Sequence, residues 1–389
     1  MSGERIVIVG GGRAGQAAAG AYRDAGGDGS VTILAREPDP PYERPPLTKD
    51  FLRGESGREA LSLEDPRWYN KRGIELQVGV EVNEIDLGAE EVWTTNGAAL
   101  SFDRLLLATG AGPIVPPLPG ADGPAVQSMR QIGDAERLRE VGAGDAVLVV
   151  GSGFIGCEAA ASLALRGAEV TLATLEEAPQ IGRLGAEVAA EIAAWLEGLG
   201  VEILPEAELA SIRAAGDRSA RTRFADGEER VADRVLLALG VERNDALAVT
   251  AGLPVDDGVQ VGPTMESADP RVLAAGDVAF AFNKTAGRRL RVEHWGEALN
   301  MGAVAGRTMA GEEAAWDVAP GFWSEIGNRT LKYVGWGDGY DDLRFESGEE
   351  GAFACWYGRA GELVGVASHL DDAAYERGRG LIEERAPWS

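Results

Sequence analysis

The sequence predicts an α/β protein that contains two separate parallel sheets and ends in a small α+β domain. Two glycine-rich runs predict the sheets: RIVIVGGGRAG near the N-terminus and AVLVVGSGFIG near residue 150 each pass from an apolar strand through a tight turn into a helix of small residues. Short alternating aromatic runs after about residue 320 indicate the α+β unit. A chain of 389 residues is long enough for two or three such domains, each with its own core.

Both glycine runs have the spacing that binds a dinucleotide. The first glycine permits the turn, the second lets the backbone approach a pyrophosphate, and the third lets the helix pack on the strand. The N-terminus of the helix then offers free N–H groups and a positive dipole end to the phosphates. Two such turns predict two Rossmann-like domains that bind FAD and NAD(P)H. The candidate residues are Gly10, Gly12 and Gly15 in the first turn, and Gly151, Gly153, Ile155 and Gly156 in the second.

The order of strands and breaks places the domain boundaries. Strands are expected at residues 30–35, before Gly110, up to residue 173 and before Gly240. The proline-rich run at residues 111–120 is interpreted as a linker, because prolines do not join a helix or a central strand. The apolar run at residues 269–279 is expected to return to the first sheet. We therefore expect a discontinuous FAD-binding domain (1–112 and 241–319), an NAD(P)H-binding domain (113–240) and a C-terminal domain (320–389).

Composition excludes several classes of function. The formal charge of −26 argues against nucleic acid or an anionic membrane as partner. Apolar runs stay shorter than the roughly 18 residues of a membrane span, and Met1 leads almost directly into the first strand, so we expect a cytoplasmic protein without a signal peptide. Cys157 and Cys355 are too few for a disulfide framework or a metal cluster. We expect both to be small buried side chains and expect no metal site.

Several motifs together resemble one known family. The most specific is PYERPPLTKDFL at residues 41–52, and VLAAGDVA, RVEHW, GFWSE and YVGW follow in the family's order over nearly the whole chain. The sequence resembles the FAD-dependent ferredoxin reductases of bacterial oxygenase systems, the putidaredoxin reductase and biphenyl dioxygenase reductase group, which is related to apoptosis-inducing factor. The resemblance implies a glutathione-reductase-like arrangement of the two Rossmann-like domains. It also implies an enzyme that passes electrons from NADH through FAD to a [2Fe–2S] ferredoxin.

The resemblance implies roles for individual residues around the flavin. Lys49 is paired in the family with a glutamate on the second glycine-turn helix, here Glu158, and the two are the candidate catalytic residues. The chain has only four lysines, so a lysine in this motif indicates that a compact ammonium is needed there. His294 and His369 are interpreted as structural. The other implied FAD contacts are Gly10, Gly12, Ala14 and Gly15 at the pyrophosphate, Arg44 beside the ring, Val82 at adenine through its backbone, Arg130 at the phosphates, Asp277 at the ribityl chain and Trp295 next to the ring.

The sequence departs from the expected pattern at both ribose positions. An acid that binds the adenosine ribose of FAD is expected after the second strand, but Arg36 occupies that position and Glu37 follows it. A one-residue shift would let Glu37 bind the ribose, although neighbouring strand side chains point to opposite faces. In the second unit the acid that would bind the NADH ribose is replaced by Thr174. The nearby Glu176 and Glu177 disfavour a 2′-phosphate, so NADH is favoured over NADPH.

The electron acceptor leaves three alternatives open. Besides a ferredoxin reductase, the chain could be an NADH oxidase-like or quinone reductase-like flavoenzyme, or a flavin-binding signalling protein of the apoptosis-inducing-factor type. An acidic ferredoxin would need a local basic patch, and the run AGRRLRVEHW with Arg288, Arg289 and Arg291 is the candidate, unless it is only a solvated turn. The sequence does not indicate the oligomeric state.

Overall fold

The computed structural model describes residues 3–216 and 218–388. The first stretch of the chain forms a parallel sheet with an added antiparallel layer. Its elements are β1 (Arg5–Val9), α1 (Arg13–Asp24), β2 (Ser30–Ala35), α2 (Asp50–Arg53), α3 (Pro66–Lys71), β3 (Ile74–Val78), β4 (Val82–Asp86), β5 (Glu91–Thr94), β6 (Ala99–Ser101), β7 (Arg104–Leu107) and β8 (Ala111–Pro113). Strands β4, β5 and β6 pair antiparallel to one another.

The second stretch repeats this plan. Its elements are β9 (Val126–Gln127), α4 (Ile132–Leu138), β10 (Ala146–Val150), α5 (Phe154–Leu165), β11 (Glu169–Ala173), α6 (Ile181–Gly198), β12 (Glu202–Leu204), β13 (Leu209–Ala214), β14 (Ala220–Phe224), β15 (Glu229–Ala232), β16 (Arg234–Leu237) and β17 (Val241–Arg243). A parallel sheet has the order β12-β11-β10-β16-β9, and β13, β14 and β15 form a separate antiparallel sheet.

The chain then returns to the first sheet, as the sequence predicts. The elements of this stretch are α7 (Ala246–Thr250), β18 (Val255–Asp256), β19 (Gly258–Val261), β20 (Val272–Ala274), β21 (Ala279–Asn283), β22 (Arg288–Arg291) and α8 (Trp295–Met309). Strand β20 pairs in parallel with β7 and completes the order β20-β7-β1-β2-β3. The other four strands form a mixed sheet of their own, β18-β19-β21-β22.

The last stretch is a five-stranded antiparallel sheet with one helix. Its elements are β23 (Gly321–Ile326), β24 (Arg329–Gly335), β25 (Asp342–Ser347), β26 (Phe353–Arg359), β27 (Glu362–His369) and α9 (Asp372–Glu383). The order is β23-β24-β27-β26-β25. Two parallel sheets with helices, followed by an α+β unit, confirm the predicted fold class.

The first three residues of the predicted linker at residues 111–120 form a short strand. Ala111 and Pro113 belong to β8, which pairs antiparallel with β17, so the two chain crossings between the parallel sheets form a ribbon. Proline is tolerated there because both strands of a two-stranded ribbon are edge strands, on which a missing N–H need not interrupt the hydrogen-bond ladder. Asn244 closes the ribbon by donating its side-chain amide to the Thr109 carbonyl at 2.8 Å.

Helices α1 and α8 pack closely because small residues face each other. On α8, a Cβ atom at Gly302 would clash with the Ala14 carbonyl of α1, and a Cβ atom at Gly306 would clash with the Ala18 carbonyl. This contact fixes the start of α8 beside the first glycine turn. Among the described residues, no helix is both long enough and apolar enough to cross a bilayer.

Candidate active site

The two glycine turns have the same construction. Gly10 has φ +127° and Gly151 has φ +105°, and a Cβ atom at either position would clash with a backbone carbonyl oxygen of the neighbouring strand end, so only glycine fits. The Gly10 N–H donates to the Leu34 carbonyl at 2.9 Å, and the Gly151 N–H donates to the Ala173 carbonyl at 2.9 Å. Each turn is therefore held at the equivalent place in its sheet, beside the end of the neighbouring parallel strand.

Each turn leaves the N-terminus of its helix open. Gly12 precedes α1 and Gly153 precedes α5; neither helix has a side-chain cap or an acidic residue in its first turn. No atom lies within 4 Å of a Cβ built on Gly12, and only Gln180 Nε2, at 4.0 Å, approaches one on Gly153. Unpaired N–H groups beside open space fit the phosphates of a dinucleotide. The residues present therefore fit FAD at the first turn and a nicotinamide nucleotide at the second.

Four predicted flavin-site residues form one polar network at the carboxyl ends of β2 and β20. The Arg44 guanidinium donates to Glu37 at 2.6 Å and to the Arg130 carbonyl at 2.7 Å. Arg130 in turn forms an ion pair with Asp277 at 2.9 Å. Tyr42 also donates to Glu37, at 2.5 Å. The network therefore lies at the carboxyl ends of the parallel strands, which is where open α/β sheets bind their ligands.

Two other predicted contacts lie at the rim of this region. Arg36 extends into solvent, 60% exposed at its side chain, and lies 3.7 Å from Glu81. Glu37, its alternative, is already bound by Arg44 and Tyr42. Val82 is buried at the start of β4. Neither ribose candidate is thus a free acceptor of the kind that the sequence pattern predicts, and the ribose contact stays a prediction.

Lys49, in a loop of the first parallel-sheet unit, forms an ion pair with Glu158, on helix α5 of the second. Their charged atoms lie 2.6 Å apart, with only 10% and 6% of the side chains exposed. Lys49 follows the 3-10 turn Pro45–Thr48 and also donates to the Pro45 carbonyl at 3.1 Å. Glu158 lies in the second turn of α5. A buried ion pair requires such additional hydrogen bonds, because desolvation otherwise exceeds the Coulomb attraction.

The Glu158 carboxylate accepts four hydrogen bonds. Thr48 Oγ1 at 2.5 Å and Lys49 Nζ at 2.6 Å donate to Oε2. Ser324 Oγ at 2.8 Å and the Glu325 N–H at 3.2 Å donate to Oε1. The donors come from the first stretch of the chain and from β23, so three parts of the fold meet at one carboxylate.

Helix α5 holds the Lys49 segment along a whole face. Glu158, Ser162 and Arg166 are spaced by four residues and therefore lie on one side of the helix. Ser162 Oγ donates to the Thr48 carbonyl at 2.6 Å. Arg166 donates to the Leu52 carbonyl at 3.3 Å, at the end of α2, and to the Arg139 carbonyl at 2.7 Å. The family motifs indicate Glu158 alone, and the four-residue spacing of polar side chains on an otherwise apolar helix is the sequence signal for Ser162 and Arg166.

Trp295 and His294 begin α8 beside the first turn. The Arg13 guanidinium lies 5.8 Å from the centre of the Trp295 ring. The His294 ring lies 4.6 Å from Phe322, which lies 4.8 Å from Phe154 at the start of α5. Burial, with a smaller effect of the nearby Arg183 guanidinium, lowers the pKa of His294 to about 4. His294 is therefore neutral at physiological pH.

Thr174, at the second ribose position, is buried. The Thr174 hydroxyl lies 2.6 Å from the Ser152 hydroxyl and is buried. Glu176 accepts from the Gly182 N–H at 3.2 Å, near the start of α6. Ile155, in the first turn of α5, is 37% exposed. Glu176 is thus a carboxylate that the structure anchors near this turn, and the contacts of Thr174, Glu176 and Ile155 with a nucleotide stay predictions.

Both cysteines are buried and free, as expected from the sequence. The Cys157 thiol donates to the Ser152 carbonyl at 3.3 Å. Burial raises the pKa of Cys157 far above its ordinary value and that of Cys355 to about 11. Buried, protonated thiols are poor nucleophiles, so neither behaves as a redox-active cysteine.

The predicted basic patch is largely neutralised. On β22, Arg288 forms an ion pair with Asp338. Arg291 lies 2.9 Å from Glu293 and 3.3 Å from Asp257. Arg289 is exposed and has no ion-pair partner among the described residues. Two of the three arginines of the candidate patch are therefore paired with acidic side chains, and docking of a partner at this strand stays a prediction.

Comparisons with known proteins agree with this geometry. A family model described as pyridine nucleotide-disulphide oxidoreductase matches residues 4–302, and one described as reductase C-terminal matches residues 321–389. The chain belongs to the pyridine nucleotide-disulphide oxidoreductase family.

Individual relatives define the branch of the family. Rhodocoxin reductase of Rhodococcus erythropolis is 32% identical over 93% of this chain and 86% of that protein. The ferredoxin–NAD(+) reductase component of the anthranilate 1,2-dioxygenase system of Burkholderia cepacia is 34% identical over 86% of this chain and 82% of that protein. The fold is similar to a chain in the crystal structure of the covalent putidaredoxin reductase–putidaredoxin complex, with a TM-score of 0.93 and 29% identity over 100% of this chain and 94% of that chain. The resemblance read from the motifs is confirmed.

Proposed function

We propose that this protein is an FAD-dependent NADH reductase that delivers electrons to a ferredoxin. The observation that carries the proposal is the pair of open glycine turns, together with the buried Lys49–Glu158 ion pair that joins the two parallel-sheet units. The relatives named as ferredoxin–NAD(+) reductase and putidaredoxin reductase support the same reaction. The corresponding domains are residues 1–112 with 241–319 for FAD, 113–240 for NADH and 320–389 at the C-terminus, and the cytoplasm is the proposed compartment.

The first turn and its surroundings would hold FAD. Gly10, Gly12, Ala14 and Gly15 provide backbone at the pyrophosphate, and the network of Arg44, Arg130 and Asp277 borders the same sheet edge. When bound, FAD accepts a hydride from the nicotinamide and releases electrons one at a time to an acceptor. The protein positions the two rings and keeps water out.

The second turn would hold NADH through the backbone at Gly151, Gly153 and Gly156. Glu176 is tied to the Gly182 N–H and holds negative charge on this side of the turn. A carboxylate repels a 2′-phosphate, so NADH is the preferred donor.

The Lys49–Glu158 pair would set the local charge beside the flavin. The ammonium donates to the Glu158 carboxylate and to the Pro45 carbonyl, so its position is defined by two acceptors. A fixed cation in a buried site stabilises negative charge that develops on the reacting ring, and its partner limits the desolvation cost.

A [2Fe–2S] ferredoxin is the proposed electron acceptor. Neither cysteine can relay electrons as a dithiol, since both are buried and single. An oxidase-like or quinone-reducing enzyme, and a slow signalling flavoprotein, are the competing functions. Turnover rates separate the three functions. A ferredoxin reductase turns over fast with ferredoxin, an oxidase-like or quinone-reducing enzyme turns over fast with oxygen or quinone, and a signalling flavoprotein is slow with all of these acceptors.

The test starts with the purified protein. It should be yellow, release FAD rather than FMN on denaturation, and lose its visible absorbance when NADH is added without oxygen. Steady-state turnover is then compared with a [2Fe–2S] ferredoxin, oxygen and a quinone as acceptors. Reduction by NADPH at tenfold higher efficiency would overturn the NADH preference, and the absence of flavin would overturn the proposal itself.

A further inference from the structure

The C-terminal domain reaches the Glu158 carboxylate through strand β23. Ser324 on β23 is fully buried, and its hydroxyl donates to Oε1 of Glu158 at 2.8 Å. The neighbouring Glu325 N–H donates to the same oxygen at 3.2 Å. These bonds occupy the oxygen that does not face Lys49.

The two oxygens of Glu158 therefore accept hydrogen bonds from different parts of the chain. Oε2 accepts from Lys49 and Thr48, and Oε1 accepts only from β23 among the described residues. The terminal torsion of a glutamate side chain is broad, so donors on one oxygen alone leave the carboxylate plane free to rotate. Donors on both oxygens fix the plane, and hydrogen bonds to a charged group are the strong ones.

We propose that Ser324 is a positioning residue for flavin reduction. Its hydroxyl, together with the Glu325 N–H, fixes the Glu158 carboxylate, which in turn fixes the Lys49 ammonium, so the C-terminal domain completes the charge pair between the other two domains. The inference rests on the proposed function, since it assigns Ser324 to that same site. Ser324 acts through Glu158 and Lys49 rather than on the reacting atoms.

The first test measures how firmly Lys49 is held. The chain has only Lys49, Lys71, Lys284 and Lys332, so acetylation at each lysine can be assigned by peptide mass spectrometry. In the purified protein with its cofactor, Ser324→Ala should raise the acetylation rate of Lys49 by about tenfold relative to the exposed Lys71 and Lys284, because the buried pair opens more often when a charged hydrogen bond is lost. Ser324→Cys keeps the size of the side chain but its thiol is a weak donor. Its Lys49 acetylation rate should therefore lie between those of the parent and Ser324→Ala.

The matched control is Ser368→Ala. Ser368 lies on β27 of the same sheet, is 1% exposed, and its hydroxyl has no hydrogen-bond partner among the described residues. This change removes a buried serine hydroxyl without touching Glu158. It should leave Lys49 acetylation at the parent rate.

The second test measures flavin reduction by NADH in stopped flow. Ser324→Ala should slow the limiting rate by about tenfold with little change in the dissociation constant of NADH, since the altered geometry acts on the reaction rather than on binding. In a Glu158→Ala background, Ser324→Ala should cause no further slowing, because the residue through which it acts is gone.

The outcomes distinguish this inference from the proposed function. A parent protein that NADH does not reduce would overturn the proposed function and the inference with it. A parent that is reduced normally, with unchanged Lys49 acetylation in Ser324→Ala, overturns the inference alone. Equal slowing by Ser324→Ala with and without Glu158 also overturns it, because Ser324 would then act by another route.

Discussion

At the scale of single residues, the unusual feature is a lysine and a glutamate buried together at a junction of three segments. Lys49 and Glu158 are each held by further partners, so their geometry is defined on both sides. Removing one partner leaves the other as an uncompensated buried charge, which is more costly than removing both. This asymmetry provides a test of whether the two residues act together.

Lys49→Met and Glu158→Gln should each slow flavin reduction by NADH. The double variant should be slower than the parent by less than the product of the two single effects, because the interaction is lost only once. Stopped-flow reduction at saturating NADH measures all four proteins. Fully multiplicative effects would show that the two side chains work independently.

His294 provides a second prediction at this scale. Its pKa is about 4 in the folded protein and about 6.5 in an unfolded chain, so the unfolded chain binds a proton at pH values where the folded protein does not. The free energy of unfolding should therefore fall as the pH decreases from 6.5 to 4, by at most about 1.4 kcal/mol per pH unit from this group. His294→Gln should reduce that slope in urea unfolding. The same pH dependence of the free energy of unfolding in parent and variant would contradict this role of His294.

At the scale of elements, helix packing through glycine places the site. Helix α8 carries Trp295 and lies against α1, which carries the first glycine turn, and the closest approach is at Gly302 and Gly306. A larger side chain at either glycine would push the helices apart. Helix α5 acts in the same way through polar bonds, since Glu158, Ser162 and Arg166 hold the Lys49 segment.

Gly306→Ala should destabilise the protein by about 1–3 kcal/mol, because its Cβ atom would clash with the Ala18 carbonyl and the backbone must shift. The matched control is Gly198→Ala at the end of α6, where no atom lies within 4 Å of the added Cβ atom and alanine is the better helix former. The control should be neutral or stabilising. Urea unfolding followed by fluorescence measures both, and equal destabilisation would contradict the packing argument.

At the scale of the whole molecule, the charge of −26 opposes the approach of an acidic ferredoxin. Of the three arginines on β22, only Arg289 has a charge that no nearby acid offsets among the described residues, because Arg288 and Arg291 are paired. Any electrostatic guidance from this strand must therefore come mainly from Arg289. Complementary charge acts chiefly on the association rate.

Arg289→Glu should slow ferredoxin-dependent turnover at low salt by reducing the association rate, while ferricyanide reduction should change little. The matched control is Arg223→Glu on β14, an exposed arginine that likewise has no ion-pair partner among the described residues. It changes the net charge equally. An equal loss of ferredoxin-dependent turnover in Arg289→Glu and Arg223→Glu would assign the effect to net charge. An equal loss of turnover with ferredoxin and with ferricyanide in Arg289→Glu would assign Arg289 to the flavin site or the fold.

The sequence by itself determined the fold class and the two nucleotide turns. The spacing of Gly10, Gly12 and Gly15, and its repetition at Gly151, Gly153 and Gly156, depends on local backbone geometry, which a short sequence window encodes. The motif around Lys49 similarly predicted its pairing with Glu158, through resemblance to the family. The strand at residues 30–35 was placed with the bounds that β2 has.

Only the tertiary structure decided which partners these residues have. Ser324 is 166 positions from Glu158, and Asp338 is 50 positions from Arg288, so no local pattern reveals either contact. The basic patch is predicted from neighbouring residues alone, and two of its three charges are offset by the loop residues Asp257, Glu293 and Asp338. Local spacing determines turns and helix faces, whereas the hydrogen bonds and charges of a buried site depend on where the whole chain folds back.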